Sequence, residues 1–123
     1  MIQVFGDRQE GKTHLLLGFA ASEALSGKSV VFECRDWNVA ADAQRRLIDS
    51  HLSASFMSRV SMSHGNRKVR TNTGGCVMFV SGRCGGSARG VNADVHIFDE
   101  ATPDDRVIPG ARVYYAPIAD DSR

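Results

Sequence analysis

Short apolar runs, each closed by glycine, proline or a polar cluster, divide this chain into alternating elements. Ile2-Gln3-Val4-Phe5 reads as a strand that runs straight into the glycine-bounded segment from Gly6 to Thr13. His14 to Leu25 is apolar on most sides, which predicts a helix covered by a sheet and by its neighbours, and Ser26-Gly27-Lys28 supplies the stop. Ser29 to Cys34 is a continuous apolar run of the kind a buried parallel strand shows. Val39, Ala43 and Leu47, with Ala40 and Ile48 alongside, fall at helical spacing and predict a second helix from about Val39 to Ser50, capped by Asp36 or Asn38.

The middle of the chain changes period. Arg59 to Ser63 reads as a strand, and Arg67 to Asn72 and Cys76 to Val80 flank Gly74-Gly75 as a hairpin. Ser81 to Gly90, with four glycines, reads as a mobile loop. Val95 to Asp99 is the next strand, Thr102-Pro103-Asp104-Asp105 has the chemistry of a helix start, and Ala111 to Ala116 is a last strand. Strand and helix alternating in this way predict an α/β fold with a mainly parallel sheet plus a β-hairpin.

Composition narrows the picture. The 123 residues form one domain, residues 1–123, without internal repeats, and 42% hydrophobic residues suffice for a core. No apolar run approaches the length of a membrane span, and no secretory leader is evident at the N-terminus. Three widely spaced cysteines, Cys34, Cys76 and Cys84, fit neither a disulfide framework nor, with four scattered histidines, a zinc signature. The expected setting is therefore a reducing cytoplasm with no membrane partner. A net charge of +1 excludes a strongly basic DNA coater, yet the charge is polarised. Arg59 to Gly90 holds six basic residues and no acidic one, whereas Val91 to Arg123 holds seven acidic and three basic. Arg59, Arg67, Lys68, Arg70 and Arg89 are accordingly candidate nucleic-acid contacts, weighed against an ordinary solvated hairpin surface.

Two motifs carry chemistry. Gly6-x4-Gly11-Lys12-Thr13 follows a strand and opens a helix, as a phosphate-binding loop must: the glycines let backbone N–H groups wrap a polyphosphate, and the helix N-terminus adds a favourable field. The nucleotide-binding set is Gly6, Asp7, Arg8, Gln9, Glu10, Gly11, Lys12, Thr13 and His14, with Lys12 reaching the β- and γ-phosphates and Thr13 offering its hydroxyl to Mg²⁺. Asp7 and Glu10 are expected to point away from a triphosphate or to pair with Arg8. The second motif is the strand Val95–Asp99 followed by Glu100. Asp99 is placed to hold the metal's water shell and Glu100, one step beyond, to polarise an attacking water. The competing reading of the acid pair is a helix cap before Ala101. Trp37 is read as a base-stacking platform or, equally, as packing under the second helix.

Arg8-Gln9-Glu10-Gly11-Lys12-Thr13 resembles the variant phosphate loop of the large terminase subunits, the DNA-packaging ATPases of tailed bacteriophages. Gly74 to Ser81 resembles that family's hairpin and strand, and Arg89 to Ala101 resembles its Arg-Gly, then Asp, then Asp-Glu-Ala run. The resemblance implies a P-loop NTPase three-layer sandwich of the additional-strand, catalytic-glutamate type, with one strand between the two motif strands. It implies ATP and Mg²⁺ as cofactors, Lys12 and Thr13 on phosphate and metal, Asp99 on metal, Glu100 as catalytic base, and Arg8 as the arginine acting on the γ-phosphate. It implies hydrolysis linked to phage DNA packaging or another DNA transaction, in bacterial cytoplasm, by a homo-oligomer or with a larger motor partner. Arg83 and Arg89 are further arginine candidates. The sequence departs from the family in showing no adenine-contacting glutamine segment, no Ser/Thr-Gly-Thr-like coupling motif and no carboxylate-rich nuclease region. Two other function classes fit the same motifs: a non-catalytic nucleotide- or partner-binding module that regulates a larger motor, and a small nucleoside kinase.

Overall fold

The computed structural model describes residues 1–4, 9–63, 65–81, 93–100 and 107–117, with only the backbone of residues 9 and 10. In chain order the elements are β1 (Ile2–Gln3), α1 (Gln9–Leu25), β2 (Ser29–Cys34), α2 (Trp37–Ser50), a 3₁₀ turn (Ala54–Phe56), β3 (Met57–Ser63), β4 (Asn66–Thr71), β5 (Cys76–Ser81), β6 (Val95–Asp99) and β7 (Arg112–Ala116). The strands form one seven-stranded mixed sheet in the order β1-β7-β6-β2-β5-β4-β3. The pairs from β1 through β5 are parallel, and β5-β4-β3 continue antiparallel as two hairpins. This is the expected α/β architecture, with a single strand, β7, between β1 and β6.

Strand alternation divides the sheet's two faces. Val30, Phe32, Val77, Phe79, Val95, Ile97 and Tyr114 turn toward the helices and pack with Leu16, Leu17 and Ala20 of α1 and Ala40, Ala43 and Leu47 of α2 in one core cluster. Both helices therefore cover the same face. On the other face Val31 and Val80 meet Ile108, with Met78, Ala93 and Ala111 against them. β2 and β6 are buried on both sides, which is why they read as continuous apolar runs.

Two element boundaries differ from expectation. α1 begins at Gln9 rather than His14. Gln, Glu and Lys are all good helix formers, and only Gly11 in that stretch resists. α2 begins at Trp37 rather than Val39, because Asp36 is its cap: the Asp36 carboxylate accepts the Val39 N–H at 2.9 Å. Trp37 packs against the main core, as its second reading held. At the other end of α1, Gly27 takes φ +87°, Gly27 N–H donates to Ala24 and Lys28 N–H donates to Glu23, a left-handed glycine stop at the expected place.

The hairpin is bolted to that helix end. The Thr71 hydroxyl donates to the Ala24 carbonyl at 3.1 Å and accepts the Gly75 N–H at 2.9 Å. Gly75 lies so close that a Cβ on it would fall 1.8 Å from the Ala24 carbonyl oxygen. A second bolt is Gln44 on α2, fully buried, whose amide donates to the carbonyls of Ser61 and Lys68 and whose oxygen accepts from Arg67. Among the described residues, no helix is long and apolar enough to cross a membrane.

Candidate functional site

The first turns of α1 and the end of β6 meet although 86 residues separate them in sequence. The Thr13 hydroxyl sits 3.1 Å from each carboxylate oxygen of Asp99. Both residues are buried, Asp99 at 2% exposure. Sheet order explains the meeting: β6 ends at the same edge of the sheet where α1 begins, and helix-side alternation of Val95, Ile97 and Asp99 turns the carboxylate under the helix. A hydroxyl against a buried carboxylate is a set of hard oxygen donors, the chemistry that suits Mg²⁺ rather than a softer metal.

Glu100 follows immediately and departs from the strand. Among described non-glycine residues it alone has positive φ, +57°. A left-handed conformation costs a non-glycine residue about 1–3 kcal/mol and is held only where surroundings over-determine it. Here the surroundings include Arg35 at the end of β2, whose guanidinium meets Glu100 Oε2 at 3.1 Å. Arg35 also reaches the cap residue Asp36 at 3.5 Å. The Glu100 side chain is mostly shielded, at 17% exposure, and only one of its oxygens is engaged by Arg35.

An open cleft of about 320 Å³ runs between these groups and α2. Thr13, Asp99 and Glu100 line one side, and Asn38, Asp42 and Arg46, each four residues apart on one helix face, line the other. Lys12 is buried, at 7% exposure, on the same turns of α1 but is not among the described residues lining that cleft. Cys34, at the end of β2, lies close enough to feel these carboxylates. Its burial first, and then the charges of Asp99 and Glu100, push the thiol well above its ordinary range, so it is a neutral core residue rather than a nucleophile.

The structure thus brings Thr13, Asp99 and Glu100 to one place and sets Lys12 and the exposed His14 on the same helix start. Gly11 lies there too, in helical conformation, with Gln9 and Glu10 as its first residues. Gly6, Asp7, Arg8, Arg83 and Arg89 lie outside the described residues, as do Cys84, the Gly82–Gly90 part of the expected loop and the helix start at Thr102. Of the expected basic set, Arg67 is set apart: it is turned to the helix side and donates to Gln44 Oε1 at 3.1 Å, which makes it part of the α2 join. The physical reason is alternation on β4: Arg67 shares its side with buried Val69 and Thr71, while Lys68 and Arg70 face away.

Sequence reasoning missed two groups. Arg35 carries no signal of its own, since its role depends on β2 and β6 being neighbours. His96 is fully buried on the face away from the helices, 3.4 Å from Glu33 Oε1, stacked on Phe98 at 4.1 Å, with its Nδ1 accepting the Ile108 N–H at 3.3 Å. It ties the chain before β7 to the strand that ends in Asp99. A polar residue inside an otherwise unbroken apolar strand was the available clue. Among the described residues, no group of three or more His, Cys, Asp or Glu is arranged to hold a metal. No family model, curated protein or solved structure matches the chain.

Proposed function

We propose that this chain is a P-loop nucleoside triphosphatase that binds ATP with Mg²⁺ and hydrolyses it. The observation that supports the reading most is the buried contact of the Thr13 hydroxyl with both oxygens of Asp99. The lysine-threonine end of a glycine-bounded loop and the carboxylate at the end of an apolar strand were singled out as two halves of one site, and they meet across the fold. The strand order, with β7 between β1 and β6, supports the additional-strand type and the resemblance to the terminase ATPase.

In this reading Thr13 and Asp99 hold the metal's oxygen shell, and Lys12, with the N-terminal turn of α1, draws the phosphates. Mg²⁺ held by these residues would supply charge neutralisation on the phosphates. Glu100 accepts a proton from water through the oxygen that Arg35 leaves open, while Arg35 fixes the carboxylate's direction. The cleft that α2 lines with Asn38, Asp42 and Arg46 favours a second reading, transfer to an acceptor other than water, because it gives such an acceptor a place beside Glu100.

Phosphate release from Mg-ATP by wild type and Glu100→Gln tests the proposal. The variant is expected to bind ATP and to lose turnover by about 10²-fold or more. ATP binding without phosphate release by wild type overturns the hydrolase reading and favours the non-catalytic binding module, unless phosphate is transferred once an acceptor is supplied. Equal turnover by wild type and variant removes Glu100 from the chemistry.

A further inference from the structure

We propose that β3 docks an extended segment of another protein as an added edge strand of the sheet, and that this segment alternates apolar and acidic residues. β3 ends the sheet, with β4 on one side and, among the described residues, no strand on the other. Gln44 reveals which backbone groups face that open side. Its Nε2 donates to the Ser61 carbonyl at 2.8 Å and to the Lys68 carbonyl at 3.2 Å. Ser61 and Lys68 are directly opposed, so one atom reaches both carbonyls only if both point into the gap between β3 and β4. Antiparallel pairing alternates along a strand, so Val60 and Met62 turn their N–H and C=O groups outward, where a further strand pairs with them.

The edge lacks the devices that keep exposed strands apart. Its 7 residues, Met57 to Ser63, include no proline and no lysine, and its irregularity of register lies at one end, between Met57 and Arg59. Val60 stands opposite Val69, which is buried in the helix-side core, so Val60 and Met62 lie on the side of the sheet that carries the helices. They are nevertheless 40% and 51% exposed. The apolar side of the sheet thus runs out to its edge beside an open row of backbone groups.

The two faces of the edge define the occupant. On the helix side it meets Val60 and Met62, which favour an apolar residue directly across. On the reverse side it meets Arg59, backed by Lys68 and Arg70 on β4. No acidic residue occurs from Met57 to Ser81, and among the described residues no ion pair includes those three cations. Carboxylates at alternate positions of the added strand complement them. A second copy of β3 answers this poorly, because it brings its own Arg59 and no carboxylate. Main-chain hydrogen bonds supply the affinity of such an addition, and the alternation of side chains supplies its specificity. The inference stands apart from the nucleotide reading and needs none of its residues.

The test is fluorescence anisotropy of the full chain with labelled peptides of about seven residues that alternate valine with glutamate, with serine or with lysine. Wild type is expected to bind the glutamate peptide about 10-fold or more tightly than the lysine peptide, with the serine peptide between them. N-methylation of one alternate set of peptide residues, the set whose N–H groups turn to β3, is expected to abolish binding, and methylation of the other set to spare it. Val60→Ser/Met62→Ser is expected to weaken binding of the glutamate peptide by about 10-fold, and Met62→Pro, which removes an outward N–H, should also weaken it. Circular dichroism checks that each variant is folded, and the methylated peptides keep the test on wild type if one is not. Arg45→Gln, on exposed α2 surface, should change little. The proposal is overturned if wild type binds none of the peptides, if the lysine peptide binds as tightly as the glutamate peptide, or if both methylated peptides bind equally. It is also overturned if sedimentation shows a dimer that Val60→Ser/Met62→Ser dissociates, which would make a second copy the occupant of the edge.

Discussion

The parallel half of the sheet and the β3–β4 hairpin use neighbouring strands to opposite ends. In β2 and β6 nearly every residue is buried, Asp99 is engaged by Thr13, and His96, beside Glu33, accepts the Ile108 N–H through Nδ1. In β3 most residues are exposed, including Val60 and Met62, and among the described residues no ion pair includes its cation Arg59. One region encloses carboxylates and a hydroxyl away from water, where electrostatic interactions are strong. The other displays positive charge at high dielectric, where only long-range, salt-sensitive attraction survives. The difference shows that one sheet carries an enclosed polar cluster at one end and an exposed basic surface at the other, with the two halves firmly joined between them.

That join is where the comparison breaks most easily. Gly75→Ala places a methyl group on the Ala24 carbonyl, backbone against backbone, with no side chain able to move aside. We expect a loss of about 3 kcal/mol or more, or failure to fold, read by denaturant unfolding. Gln44→Leu keeps the volume but leaves the carbonyls of Ser61 and Lys68 and the Arg67 guanidinium without their buried partner. A loss of about 2 kcal/mol is expected, with hydrogen exchange rising first in β3 and β4 while β2 and β6 stay protected. Uniform loss of protection across the sheet would show that the two halves do not behave as separate regions.

How much of this was legible follows from the same contrast. The parallel strands read as apolar runs, and the two motifs point to Thr13 and Asp99, which the fold brings into contact. The β4–β5 hairpin was legible from Gly74-Gly75. What the sequence withheld was register and neighbourhood. Arg67 was grouped with Lys68 and Arg70 because they are adjacent, although alternation sends it to the other face, onto Gln44. Gln44 itself hides among Ala40, Ala43 and Leu47, a polar residue on the buried stripe of α2. Arg35 meets Glu100 only because β2 and β6 pair, a fact set by tertiary order and not by spacing.

The smallest expected effect concerns the helix contact beside the site. His51, at the C-terminal cap of α2, packs its ring 4.4 Å from that of His14. Burial first, then His14 and then Arg46, lower its pKa from the ordinary 6.5. The folded value lies below the unfolded one, so the unfolded chain takes up this proton first as pH falls. Stability from this group is intact above about 6.5 and is lost as pH drops through that value toward the folded pKa. Thermal unfolding of His51→Asn should therefore fall less than wild type between pH 7 and pH 5, and a parallel decline in both would assign the acid sensitivity elsewhere.

The Thr13–Asp99 contact is the hinge of the functional account, and Mg²⁺ dependence of nucleotide affinity interrogates it most directly. In calorimetry, wild type is expected to bind ATP with Mg²⁺ and to lose about 10-fold or more of that affinity when the metal is chelated. Asp99→Asn should bind weakly and equally in both conditions, and Lys12→Ala should not bind detectably in either. Wild-type affinity that is the same with and without Mg²⁺, or that survives Lys12→Ala, would contradict a phosphate and metal site at the start of α1.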